Sequence, residues 1–419
     1  MNPVLLEGIV GVRAKAFVLV FAGLLGAGTL LVAQGGGAQA PQGGRGGRGG
    51  VQVAPGEACP PGTTEVRPGR CSAPEFAPPS IVDYRPRTTL VVPEHPVPKA
   101  RFPVIDSHNH TTVSASNIDQ LISEMNQLNL RVLVNLSGGS NPDSVKQKID
   151  FISASKYPDR FRVFANVAWN GAGGPGWAEK AVADLEQSIR NGAIGLKVYK
   201  DLGMFAKRAD GSRLQVDDPV LKPVWDLCAR LNIPVIIHTA EPQEFFSPLD
   251  MKNERWLELS LFRDRRHSMP GEPAWEELMG ERDRMFAANP KTRFINAHFG
   301  WYGSDLERAS RLLDRLPNVV MDLSAVLYDF GRQPRAAREF FIKYQDRVLF
   351  GKDSYVPSEF PYYWRVFETS DEYFDYYRDY HAFWKLYGMD LPDSVLRKVY
   401  YQNSLRVTPG LPRIAGGKQ

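Results

Sequence analysis

Beyond residue 100 the chain alternates between short apolar runs and amphipathic stretches, and that rhythm leaves few folds open. The runs at 104–105, 131–136, 161–167, 194–198, 233–237, 292–297, 319–323 and 348–350 have the unbroken apolar character of parallel strands covered on both faces. Between them, 118–128, 144–155, 178–190, 219–231, 272–288, 305–316 and 335–344 carry apolar residues at helical spacing, and a further helix is expected at 393–402. Eight strands alternating with helices predict an α/β protein, a (β/α)8 TIM barrel. A doubly wound open sheet is the alternative. Two loops, 201–216 and 241–271, are longer than a barrel needs and leave from C-terminal strand ends, which makes them candidate lids. The Tyr-rich segment 371–387 is expected to pack on the barrel or on a second subunit.

The first hundred residues differ in kind. Arg13 and Lys15 precede an apolar run over 16–33, and Ala38-Gln39-Ala40 has the small-x-small form of a cleavage site. Residues 1–40 therefore read as a signal peptide or an uncleaved N-terminal anchor, and the body as exported, periplasmic or extracellular. Residues 41–100 read as a Gly/Pro-rich linker and lead-in to a barrel over 101–410. Cys59 and Cys71 bracket a Pro/Gly-rich loop that could close as a disulfide, in keeping with export, whereas Cys228 sits in a helical apolar pattern. Residues 1–100 hold nine Lys/Arg against six Asp/Glu, so three of the four net positive charges lie there. The nearly neutral body argues against nucleic acid as a partner and leaves a small molecule.

Polar residues able to bind metal stand at one expected strand tip after another. Side chains two apart on a strand point the same way, so His108 and His110 leave the first strand together with Asp106 one layer below. The fourth strand carries Lys197 and Tyr199, the fifth runs into His238, the sixth ends at His298, and the eighth delivers Asp353. Four of the seven histidines occupy such tips. Three buried imidazoles with no common partner would each cost desolvation, so a shared cation is the simpler reading. Nitrogen ligands with one carboxylate suit a catalytic zinc, which activates water near neutral pH.

The pattern Asp106-x-His108-x-His110, Lys197, His238-Thr239, His298-Phe299-Gly300-Trp301 and Phe350-Gly351-Lys352-Asp353 resembles the amidohydrolase superfamily, in particular its amidohydrolase-related (family 2) branch. The resemblance implies that His108, His110, His238 and Asp353 hold a divalent metal, zinc first and manganese second. It makes His298 a second-metal ligand or a catalytic imidazole beside Asp353. Lys197 matches the position of a carboxylated lysine in members with two ions, so one or two ions remain open. Lys352 departs from the small residue usual before the eighth-strand Asp. Trp169, Tyr199 and Trp301 follow strand tips and are candidates for substrate binding.

These readings converge on an exported metal-dependent hydrolase of a small-molecule C–N or C–O bond in an amide, lactone or ester. The same-fold alternative is a metal-dependent decarboxylase of an aromatic or unsaturated acid. A third reading is a non-catalytic extracytoplasmic ligand-binding barrel.

Overall fold

The computed structural model describes residues 50–414. The expected signal or anchor at 1–40 lies outside them. Two compact units divide the chain at Pro79 and Ser80.

In the first unit, strands β1 (Val51–Gln52), β2 (Thr64–Arg67) and β3 (Arg70–Ser72) form an antiparallel sheet in the order β1-β3-β2. Val51 pairs with Cys71, and Cys71 is joined to Cys59 by the disulfide that the spacing suggested. A stretch read from its composition as linker thus contains a small stapled sheet, which three short strands need in place of a core.

The second unit holds eight parallel strands. β4 (Val104–Asn109), β5 (Leu130–Asn135) and β6 (Phe161–Val163) form one sheet. β7 (Leu196–Val198), β8 (Val235–Ile237), β9 (Phe294–Asn296), β10 (Val319–Asp322) and β11 (Val348–Leu349) form another. Backbone hydrogen bonds cross both seams. The amide of Ala165 donates to the Gly195 carbonyl and that of Lys197 to Ala165, each within 2.9 Å. At the other seam Ser107 donates to Phe350 at 3.0 Å and Asp353 to His108 at 2.7 Å. The strands therefore follow chain order around a ring, the TIM-barrel arrangement expected from the alternation.

Helices cover the ring by the stripe their sequences carry. In Ile118–Leu128 the buried residues are Ile118, Leu121, Ile122, Met125 and Leu128, one face of a 3.6-residue period. Asn129 ends it in left-handed backbone, its N–H returning to Asn126 and Met125. Pro142–Ala154 starts with Pro in its first turn, and the Asn141 side chain accepts from the amides of Asp143 and Ser144. Among the described residues no helix is long and apolar enough to cross a membrane.

One buried carboxylate staples the β4–β11 seam. Asp106 accepts from the backbone amides of His108 (3.2 Å) and Lys352 (3.0 Å) and from the Asn109 amide group (2.8 Å). Burial pushes its pKa up to about 6 against those hydrogen bonds. Gly351 is required at the same seam, since a Cβ there would come within 2.7 Å of the His108 Cβ.

Candidate metal centre

The seam brings His108, His110 and Asp353 together at the C-terminal end of the ring. Each offers one ligand atom, and those atoms lie within 4.8 Å of one another. His108 Nε2 is 3.4 Å from Asp353 Oδ1, and His110 Nε2 is 3.6 Å from the same oxygen. Two ligands of one tetrahedral cation with bonds near 2.1 Å stand roughly 3.4 Å apart. The spacing therefore fits a shared ion.

The hydrogen bonds behind each imidazole fix which nitrogen is bare. His108 Nδ1 meets the Asp322 carboxylate at 2.8 Å and Ser324 Oγ at 2.9 Å. Its proton therefore sits on Nδ1, leaving Nε2 for the centre. Burial and Lys197 push the His108 imidazole down, but Asp322 and Asp353 carry it above its ordinary value. Asp322 stays strongly acidic because the imidazoles and hydrogen bonds around it outweigh its burial.

His110 is ordered by a longer relay. Tyr199 donates to the Leu136 carbonyl (3.2 Å), Ser137 Oγ lies 2.9 Å from the Tyr199 hydroxyl, and His110 Nδ1 lies 2.8 Å from Ser137 Oγ. A carbonyl can only accept, so the protons run from His110 outward and Nε2 is again bare. Burial, then the positive charge near it, pushes this imidazole down to about 3, so it is neutral. Tyr199, a substrate-binding candidate, here orients a ligand.

Two bare nitrogens and a carboxylate oxygen facing one another are electrostatically incomplete without a positive charge. Lys197 supplies one in the metal-free protein, its Nζ 3.2 Å from His108 Nε2 and the side chain fully buried. Burial pushes this lysine down to about 8, only partly opposed by Asp322 and Asp353. The donor set thus fits a divalent cation, with His108, His110 and Asp353 as the residues that would hold it.

The remaining two histidines form a second pair instead of joining that group. His238 Nδ1 and His298 Nε2 face each other at 3.2 Å. His298 Nδ1 lies 3.0 Å from the Ser324 carbonyl, which again can only accept, so its Nε2 is bare. Burial, and then His238 and His108, keep His298 neutral. The expected quartet of His108, His110, His238 and Asp353 is therefore divided. Three members converge, and His238 turns toward His298, whose ring centroid is 4.8 Å from that of His108.

Backbone strain sets this second pair. His298, Phe299, Gly300 and Trp301 all have positive φ, at 54°, 57°, 59° and 58°. Left-handed backbone at three non-glycine residues costs roughly 1–2 kcal/mol each, and such strain gathers at functional sites. The turn stacks Trp301 on His298 at 4.7 Å, and Trp301 Nε1 donates to the Thr239 carbonyl at 3.0 Å. Asp353 is strained too, with φ of 79°. Its side chain is 37% exposed, so the carboxylate opens toward solvent.

Four further placements matter. Trp169, a substrate-binding candidate, is buried in the wall against Trp225 and Trp177. Lys352 turns its ammonium away from the centre to pair with Glu359 among Phe360, Tyr363 and Tyr377. Asp322, which ends the seventh strand of the ring, and Glu241 were missed by sequence reasoning. Glu241 pairs with Lys200 and faces His238 Nε2 at 3.6 Å. Burial would push the Glu241 carboxyl up, but His238 and Lys200 prevail and hold it at about 2.

An enclosed ring of parallel strands with metal-ligating side chains at its C-terminal rim defines a metal-dependent barrel enzyme. The amidohydrolase family model (Amidohydro_2) matches residues 150–409, and the chain belongs to that family. It is a metal-dependent enzyme of amidohydrolase type. Among curated proteins none matches the chain. Solved structures similar to it include an uncharacterized TIM-barrel protein from Bordetella bronchiseptica, 15% identical over 73% of this chain and 98% of that one, with a TM-score of 0.47. A 2,6-dihydroxybenzoate decarboxylase complexed with 2,6-dihydroxybenzoate is 14% identical over 73% and 99%, with a TM-score of 0.45. A dihydroxybenzoic acid decarboxylase from Polaromonas, with bound manganese and 2-nitroresorcinol, is 14% identical over 73% and 96%, with a TM-score of 0.45.

Proposed function

We propose that this protein is an exported hydrolase that cleaves a C–N or C–O bond of a small amide, lactone or ester. The observation that carries the reading is the convergence of bare His108 Nε2, bare His110 Nε2 and the Asp353 carboxylate within 4.8 Å, at the open end of the ring. A divalent cation there, zinc for this donor set with manganese as the alternative, would bring water's pKa toward 7 and polarise a carbonyl.

The chain's own residues do the rest. Asp322 holds His108 and Tyr199, through Ser137, holds His110, so both imidazoles keep their orientation through turnover. Asp353 is ionised, since the imidazoles around it outweigh its burial, and it faces solvent. It accepts the proton of the attacking water and returns it to the leaving group. Neutral His298, stacked on Trp301, keeps its bare Nε2 turned to His238. Trp301 offers an aromatic wall for the substrate. The pair of His238 and His298, with Lys197 near His108, supports room for a second ion.

The division into a 1–40 export segment, a 41–100 lead-in and a 101–410 barrel belongs to this reading, and the Cys59–Cys71 disulfide supports an oxidising compartment. The test is metal analysis of the purified protein, then a panel of esters, lactones, amides and aromatic acids. Release of alcohol or amine without CO2 is expected. Release of CO2 from an aromatic acid, with no hydrolysis, would replace this reading by the decarboxylase.

A further inference from the structure

The turn after β8 is held far more firmly than a substrate-facing loop requires. Ala240 has left-handed backbone, with φ of 60°. Trp301 Nε1 donates to the Thr239 carbonyl at 3.0 Å, and Trp275 Nε1 donates to the Glu241 carbonyl at 3.0 Å. Lys200, at the tip of the neighbouring strand, pairs with the Glu241 carboxylate. The strain and the three ties fold the turn back so that a nearly buried carboxylate faces the ring of His238.

His238 itself poses a problem of protons. Its Nδ1 faces the bare Nε2 of His298 at 3.2 Å, while its Nε2 is buried without a hydrogen-bond partner and lies 3.6 Å from Glu241 Oε2. A neutral imidazole has one proton for two nitrogens. With the proton on Nδ1, a bare Nε2 would face an anion. With the proton on Nε2, Glu241 is satisfied and two lone pairs converge between His238 and His298, as two ligands of one cation would.

We propose that Glu241, clamped by Lys200, is a positioning residue that keeps the His238 proton on Nε2 and so presents Nδ1, beside His298 Nε2, to a metal ion. This rests on the metal-dependent reading, in which the family resemblance already offers His238 and His298 as ligands, and adds the role of Glu241 and Lys200 behind them. A 3.6 Å separation closes to a hydrogen bond with a small rotation of either side chain.

The test is nitrogen-15 NMR of the zinc-loaded, histidine-labelled full chain, combined with zinc titration of wild type and Glu241→Gln. Wild type should carry the His238 proton on Nε2. The variant should take up zinc about 10- to 100-fold more weakly, the usual cost of losing a histidine's outer partner. A proton on Nδ1, or unchanged zinc uptake by Glu241→Gln, overturns the proposal. Should Glu241→Gln fail to fold, Lys200→Met leaves the carboxylate in place but unclamped and should weaken uptake in the same direction by less. Unchanged uptake there then overturns it. A wild type that binds neither zinc nor manganese removes the hydrolase reading instead, and the proton position in the metal-free chain still decides the fate of Glu241.

Discussion

Two lysines, Lys197 on β7 and Lys352 just after β11, are both buried beside the strand ends, and they point to opposite sides of the wall. Lys352 turns outward. Its ammonium pairs with Glu359 and is surrounded by Phe360, Tyr363 and Tyr377. Lys197 turns inward, where its Nζ meets a histidine nitrogen at 3.2 Å and forms no salt bridge to a carboxylate among the described residues. The difference separates a charge kept for architecture from one kept at a site. A protein that buries a charge only to hold itself together gives it an opposite charge, as Lys352 has. One left with a histidine for its nearest partner is tolerated where a stronger cation can compete for the same ligands.

The largest test of that contrast removes the centre altogether. Asp353→Ala should lose bound metal and at least about 1000-fold in activity, as removal of a group acting directly on the reaction does. Metal analysis and turnover on the best panel substrate read both. A variant that keeps its metal would place the cation elsewhere and dissolve the distinction between the two lysines.

Lys352→Met should give the reverse pattern. Glu359 would keep only Arg378, at 3.4 Å, so denaturant unfolding should show a loss of about 2 kcal/mol while metal content stays unchanged. Loss of metal with unchanged stability would show that the eighth-strand lysine also serves the site.

Lys197 predicts a pH dependence in the metal-free protein. Its folded pKa of about 8 lies below the ordinary 10.5. Below pH 8 both folded and unfolded chains hold the proton, and the fold bears the full cost of burying it. Between 8 and 10.5 the unfolded chain holds more protons, so stability rises with pH. Above 10.5 the cost is gone. Metal-free Lys197→Met should therefore be more stable than wild type by roughly 3 kcal/mol at pH 7, converging with it by about pH 10.5. Parallel profiles across that window would show an ordinary lysine.

How much of this the chain's letters disclose follows from what each residue type prefers. Strands covered on both faces read as apolar runs, so all eight could be found, and the apolar stripe of Ile118–Leu128 marked that helix to the residue. The expected strand at 161–167 stops at Val163, because pairing with β5 ends there although the apolar character continues. His108, His110, His238, His298 and Asp353 stood out by position alone. Asp322 did not, since an aspartate closing an apolar run looks the same as a helix cap. The left-handed turn over 298–301 was illegible, because Phe and Trp rarely adopt positive φ and nothing in the letters marks two of them in a row around a glycine. The partition of the histidines into a trio and a pair depends on that turn. Trp169 was misread because a ring after a strand tip faces the wall as readily as the mouth.

The smallest expected effect extends the contrast to a pair with one exposed member. His95 is 66% exposed, and its Nδ1 lies 2.6 Å from Asp371 Oδ1. The His95 backbone amide also donates to Asp371 Oδ2 at 2.7 Å, as does Arg365 Nε. His95→Ala removes only the first of these three, and Asp371 keeps the other two. Unfolding should shift by less than about 1 kcal/mol, with metal content and turnover unchanged, because an exposed partner returns its hydrogen bond to water. A larger loss would mean that the lead-in bearing His95 is held through this one ring. Then exposure would be a poor guide to which charged pairs in this chain matter, and the surroundings of Lys197 and Lys352 would no longer separate a site charge from an architectural one.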